Sequence, residues 1–256
     1  MNQLDQLRQT LKSYQKVAIA YSGGCDSHFL YSVACDTLGK ENVLAILCIG
    51  YMMSKEDVES AKALIQDGQY EIIDVDVFSL EAFYHNRKDR CYHCKKMIMS
   101  KVKEKAKEKG FSYVLDGMNQ DDLHVYRPGR KACEELGILS PLKIMDKAMI
   151  RQYSKELGIV TYNKPANACL ASRFPYDTLL TKEKLEKIDR VESLLHLAGV
   201  YHVRCRVHDR IARIEAEKKD FFKIINHQVL IDQIKELGFD YVTLDLNGIS
   251  SGSFDK

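Results

Sequence analysis

The stretch from Val17 to Leu30, VAIAYSGGCDSHFL, constrains this chain more than any other. A short apolar, β-branched run ends in Ser-Gly-Gly-Cys-Asp-Ser and passes directly into a helical pattern. In a parallel α/β sheet, that junction lies beyond the C-terminal end of a strand, where ligands bind. Gly23 and Gly24 let the backbone turn tightly and approach an anion. Ser22 and Ser27 add hydroxyl groups, and the opening helix adds unpaired N–H groups and its dipole. The combination suits a phosphate. It is not a G-x-x-x-x-G-K-[ST] loop, because the lysine is missing, and it is not G-x-G-x-x-G. The plainer alternative is a glycine turn with a helix cap at Asp26 or Ser27.

The rest of the chain supports that placement. Apolar runs at KVAIAYS, NVLAILCIG, YEIIDVDV and FSYVLDGMN alternate with helical patterns, several of them closed by Gly. The second run is apolar throughout, as strands covered on both faces are. This rhythm predicts an α/β fold with a parallel sheet. It breaks between 163 and 180, where two of the four prolines lie. Beyond the break come a helix, two strands meeting around His208–Arg210, another helix and a last strand. The expected division is a nucleotide-binding domain at 1–165, a linker at 166–180 and a small α+β domain at 181–256.

Composition narrows the setting. Hydrophobic residues are 45% of the 256 positions, enough for a sizeable core, and a net charge of +2 gives no general attraction to nucleic acid or membrane. No apolar run reaches the roughly 18 residues of a membrane span. The amphipathic start, with Leu4, Leu7 and Leu11 at helical spacing, has no signal-peptide core. A cytoplasmic protein with reduced thiols is the expectation. Of the eight cysteines, Cys35, Cys48 and Cys133 read as core, as does Cys205, and Cys25 carries no assigned role. Cys91 and Cys94 form a C-x-x-C that fits zinc, a redox pair or iron–sulfur ligation. Cys169 lies in the break between the domains.

The Ser-Gly-Gly-x-Asp-Ser turn after a strand closely resembles the signature of the PP-loop ATP pyrophosphatases, a Rossmann-like superfamily. The resemblance implies that Ser22, Gly23, Gly24, Asp26 and Ser27 hold the β,γ-pyrophosphate of ATP. It also implies that ATP is split to AMP and pyrophosphate, with Asp26 helping to hold Mg²⁺. Asp121 and Asp122, in GMNQDD at another strand end, are either further magnesium or ribose contacts or solvated turn residues.

A more specific match is CLASR followed by Pro-Tyr. With GMNQDD, YRPGR, SPL, VRCRVHDRIARIE and the tail, it resembles the LarE family over nearly the whole chain. These are ATP-dependent sulfur transferases that build the thiocarboxylates of a nickel-pincer nucleotide. The tail departs from that family: Ile249 and Ser250 stand where Tyr and Arg are common. One form of the family gives up the sulfur of a lone cysteine at the CLASR position. The other uses that cysteine and a C-x-x-C pair to bind a 4Fe–4S cluster, whose fourth iron can carry sulfide. Cys91, Cys94 and Cys169 match the second form. The resemblance also implies a catalytic role for Cys169, Asp26 and Arg173, and substrate-phosphate contacts for Arg204 and Arg206. Those two alternate on VRCRV and so share a strand face; the competing reading of the pair is a solvated sheet face. Lys95 and Lys96 either add positive charge near the thiolates or simply face solvent.

The implied partners are a small nucleotide substrate and a sulfide source, with self-association a role open to the C-terminal domain. Four alternatives compete. One is a single-turnover donor whose sulfur is Cys169 itself. Another is a transfer-RNA thiolase, disfavoured by the absence of a basic RNA-binding segment. A third is an ammonia-using amidating enzyme, which leaves the three cysteines without purpose. The last is a nucleotide sensor that never cleaves ATP.

Overall fold

The run at Val17 becomes an inner strand of a parallel sheet. The structure is a computed structural model that describes residues 2–65, 67–123, 128–165, 168–250 and 254. It divides into two units, the first made of Met1–Gly50, Asp57–Asp76 and Asp89–Asn167. That unit opens with α1 (Gln3–Tyr14), which turns Leu4, Leu7 and Leu11 inward and is capped by the Asn2 side chain. Then follow β1 (Val17–Tyr21), α2 (Cys25–Leu38), β2 (Val43–Ile49), α3 (Lys55–Leu64) and β3 (Gln69–Asp74). The sheet order is β3-β2-β1, and it ends with β4 (Tyr113–Leu115) beside β1. All three pairings are parallel, with Val17 opposite Val43 on one side and Tyr113 on the other.

Burial follows position in the sheet. β1 and β2 are almost wholly buried, whereas β3, at the edge, alternates exposed and half-buried residues. β4 is shorter than its apolar pattern, because the chain turns at buried Asp116, whose Oδ1 accepts the Met118 N–H at 3.2 Å. Leu139 continues the sheet by a single parallel bridge to Leu115. The connecting helices of this unit are α5 (Arg90–Glu108), α6 (Gly129–Glu135) and α7 (Lys147–Glu156), counting as α4 the turn Glu81–Tyr84 of the other unit.

The second unit comprises Tyr51–Glu56, Val77–Lys88 and Ala168–Lys256. After α4 it contains α8 (Lys182–Leu197), β5 (Val203–His208), β6 (Ile211–Ala216), α9 (Phe221–Ile225), α10 (Gln228–Glu236) and β7 (Tyr241–Leu244). β5 and β6 form the hairpin read at His208–Arg210, turning through Asp209 at φ 53°, and β7 joins β6 in parallel. Leu185, Ile188, Val191 and Leu195 form the buried stripe of α8.

The sequence reading assigns 77–88 to the first domain, but this segment groups with the second unit. Its anchor is Asn86, buried and left-handed at φ 50°. The Asn86 Nδ2 donates to the carbonyls of Phe174 at 3.1 Å and Pro175 at 2.7 Å. The Asp177 N–H returns a bond to the Asn86 carbonyl, and the Leu180 N–H donates to that of Tyr84. Among the described residues, no helix is long and apolar enough to cross a membrane.

Candidate functional site

The turn after β1 takes its shape from glycine and from its neighbours. Gly23 sits at φ 70°, and a Cβ placed there would lie 2.5 Å from the Ala61 Cβ on α3. Only glycine fits both the dihedral and the gap. Gly24 is extended and precedes the first turn of α2, with no side-chain cap, so Asp26 and Ser27 do not cap the helix. The Ser22 and Ser27 hydroxyls are 3.0 Å apart, and the Ser27 hydroxyl also accepts the Ser22 N–H at 3.3 Å. Gly117 packs against the same turn: a Cβ there would sit 3.0 Å from the Ser27 nitrogen. The α2 N-terminus, with its unpaired amides, is thus pressed between the ends of two strands.

Two lysines reach this turn from far along the chain. The Lys147 Nζ lies 2.5 Å from the Asp26 Oδ1, across 121 positions. The Lys164 Nζ donates to the Gly23 carbonyl at 3.1 Å, across 141 positions, and to the Ser60 Oγ at 3.1 Å, and it lies 3.6 Å from the Asp57 Oδ1. Neither lysine was singled out in the sequence, because no local motif contains them. Behind the turn, the Tyr21 hydroxyl and His28 Nδ1 are 2.8 Å apart in the core. Burial, with the Lys164 charge adding to it, pushes the His28 imidazole down to about 4.

Asp121 and Asp122 serve the backbone near this end of the sheet. The Asp121 Oδ2 accepts the Lys147 N–H at 3.0 Å. Asp122 is buried, not a solvated turn residue, and its Oδ2 accepts the Asn119 N–H at 3.2 Å. Among the described residues, no three His, Cys, Asp or Glu side chains group to hold a metal ion.

All eight cysteines are thiols. Cys25, Cys48, Cys133 and Cys205 are buried, while Cys35 is half-buried. Burial pushes the Cys48 thiol up to about 11 and that of Cys133 up to about 12, and it raises Cys205 further. Such groups stay neutral and behave as small core side chains. By contrast, Cys91 is exposed and Cys94 half-buried, one helical turn apart at the start of α5. Lys96 belongs to a surface pair with Glu135 at 2.8 Å, while Lys95 lies against Gly129 of α6, where a Cβ would come within 3.2 Å of its Cβ.

Cys169 belongs to the second unit, half-buried just before the turn Leu170–Arg173. Arg173 is buried and makes a two-pronged pair with Glu192, 2.8 Å on each side. Its remaining nitrogen donates to the Ala168 carbonyl at 2.9 Å and the Ser172 hydroxyl at 3.1 Å. Burial works against this charge, but the Glu192 pair more than offsets it and raises the guanidinium. Arg173 therefore holds the Cys169 turn in place.

Arg204 and Arg206 are also buried, which excludes the solvated-face reading. Arg206 pairs with fully buried Glu215 at 3.1 Å and donates to the Ser172 carbonyl at 2.6 Å. Both arginines donate to the Ser250 carbonyl, at 3.0 and 3.3 Å. The divergent tail is thus attached to this pair, while Ser251–Ser253 and the Tyr126 and Arg127 of YRPGR lie outside the described residues. Burial lowers Arg204, reinforced by Arg173 and Arg206, and burial lowers Arg206 despite Glu215. Guanidinium groups keep their proton even so. Three buried cations against the Glu192 and Glu215 carboxylates leave positive charge suited to an anion.

The parallel sheet and the glycine turn at the head of α2 define an α/β nucleotide-binding protein of the PP-loop type. Residues 2–116 match the family model described as NAD synthase. The chain is 37% identical to the pyridinium-3,5-bisthiocarboxylic acid mononucleotide synthase of Lactiplantibacillus plantarum, over 94% of this chain and 90% of that protein. It is also 37% identical to an uncharacterized protein of Synechocystis, over 100% of this chain and 97% of that one. An uncharacterized protein of Methanocaldococcus jannaschii is 31% identical over 96% of each chain. The chain belongs to the LarE family, that of the Lactiplantibacillus synthase.

Proposed function

We propose that the protein is an ATP-dependent sulfur transferase that converts a pyridinium carboxylate mononucleotide to its thiocarboxylate, as a step in making a nickel-pincer nucleotide. The observation that carries this reading is the 37% identity, over 94% of this chain, with a synthase of the bisthiocarboxylate. The glycine turn at Gly23, shaped for a phosphate, supports it independently.

In this reading a carboxylate oxygen of the substrate attacks the α-phosphorus of ATP. Pyrophosphate leaves into the Ser22–Ser27 turn, and an acyl adenylate forms. A sulfur nucleophile then displaces AMP and leaves a thiocarboxylate. Asp26 would hold magnesium, which would neutralise phosphate charge, and Lys147 is the cation paired with that carboxylate. Because Asp121 and Asp122 already accept backbone N–H groups, we assign them to shaping the turn near Lys147. Arg204 and Arg206 receive the substrate phosphate, and Arg173 positions Cys169.

The thiols of Cys91, Cys94 and Cys169 fit an iron–sulfur cluster by donor chemistry, since all three lie outside the buried set. A 4Fe–4S cluster on them would supply sulfur as sulfide on an iron that no protein thiolate occupies. The same donors leave the sacrificial reading as the alternative, with Cys169 giving up its own sulfur.

Anaerobic purification with iron and sulfide analysis separates the two. Brown protein with about four irons per chain, lost in Cys91→Ala, Cys94→Ala and Cys169→Ala, supports the cluster. Colourless protein that transfers one sulfur per chain and then stops supports the sacrificial form. ATP that is bound but never released as AMP and pyrophosphate overturns both.

A further inference from the structure

The phosphate turn of this chain has no lysine within its motif, yet an ammonium group sits against it. We infer that Lys164 is the positioning residue of the pyrophosphate grip, acting through the Gly23 carbonyl. The inference rests on the ATP-cleaving reading above and assigns a role within that site.

The Lys164 Nζ is 3.1 Å from the Gly23 carbonyl oxygen and 3.1 Å from the Ser60 Oγ, with Asp57 at 3.6 Å. The lysine side chain is only 21% exposed. Its own backbone is held on both sides: its N–H donates to the Thr161 carbonyl at 3.0 Å, and its carbonyl accepts from Arg151 at 3.2 Å. The ammonium is therefore a fixed point, braced on α3 by the helix that also supplies Ala61 under Gly23.

In a trans peptide the carbonyl and the following N–H point in opposite directions. Holding the Gly23 carbonyl toward Lys164 therefore turns the Gly24 N–H away from the ammonium, at the mouth of the α2 N-terminus. An N–H held in advance in its binding orientation loses little freedom when an anion arrives. Contact with Ala61 keeps the turn from sliding along α3, and Lys164 keeps its peptide plane from rotating. The ligand that depends on this arrangement is the β,γ-pyrophosphate of ATP, and not a nucleoside monophosphate.

The test compares Lys164→Met, Lys164→Arg and Ser60→Ala with the wild-type protein, using calorimetric binding of a non-hydrolysable ATP analogue, inorganic pyrophosphate and AMP. Lys164→Met is expected to weaken the analogue and pyrophosphate by about 10- to 100-fold, the range of one hydrogen bond to a charged group. AMP affinity stays within about twofold, and Lys164→Arg recovers most of the loss. Should Lys164→Met fail to fold, Ser60→Ala, which removes one brace of the ammonium, is expected to weaken pyrophosphate by about 2- to 5-fold. Unchanged pyrophosphate binding in a folded Lys164→Met, an equal loss of AMP, or no effect of Ser60→Ala where that variant decides, overturns the inference. Wild-type protein that binds neither ATP analogue nor pyrophosphate overturns the ATP-cleaving reading itself.

Discussion

The two regions proposed to bind anions are built from opposite materials. The turn at Ser22–Ser27 uses backbone: glycines at a tight bend and the amide end of α2, with Lys147 and Lys164 brought in from outside the motif. The region around Arg204 and Arg206 uses side chains, three buried guanidinium groups, with Arg173 paired to Glu192, Arg206 paired to Glu215 and Arg204 donating to the Ser250 carbonyl. A backbone site tolerates no change of shape. A site of buried charges tolerates no change of sign, because an orphaned partner remains in the core.

Substitutions can break this contrast, and their expected effects descend in order. Gly23→Val places a side chain at φ 70° and against Ala61. AMP release should fall below detection, and chemical denaturation should show a loss of about 2 kcal/mol or more. Arg206→Met removes the 3.1 Å ion pair to fully buried Glu215, a carboxylate that Arg213 also reaches at 3.2 Å. Denaturant unfolding should show a loss of about 3 kcal/mol. The double variant with Glu215→Leu should recover stability without recovering substrate binding. If Arg206→Met alone is as stable as wild type, the Arg206–Glu215 pair does not hold the cluster together.

The next effect is one of pH. His28 is held at about 4 against its ordinary 6.5, so the unfolded chain takes up the proton first as pH falls. The stabilisation is complete above pH 6.5 and is lost between 6.5 and about 4, amounting to about 3 kcal/mol. Urea unfolding across that window should be shallower in pH for His28→Gln than for wild type. The smallest effect belongs to Asp121→Ala, which removes the acceptor of the Lys147 N–H. A loss of about 1 kcal/mol is expected in the same assay, with a weaker grip on ATP if Lys147 shifts with its backbone.

What could be read from the chain follows the same division. The glycine turn was legible because a dihedral requirement writes itself into residue type: few residues besides glycine adopt φ 70° and accept the approach of Ala61. The alternation of Arg204 and Arg206 was legible from strand period. Their partners were not, because Glu215 meets them through the register of β5 on β6, and Ser250 through the course of the tail. Lys164 lies 141 positions from Gly23, beyond the reach of any local pattern. The grouping of 77–88 with the second unit is anchored by buried Asn86 and by the Leu180 N–H on the Tyr84 carbonyl, contacts that no periodicity announces.

Burial also sorts the thiols into two chemical populations. In the native chain an alkylating reagent meets exposed Cys91 first and half-buried Cys35, Cys94 and Cys169 next, while Cys25, Cys48, Cys133 and Cys205 wait for unfolding. The mass a short labelling pulse adds then tallies the sulfur atoms left uncommitted. A chain that has surrendered the sulfur of Cys169, or has it bound to iron, declares itself in a mass spectrometer without substrate, colour or turnover.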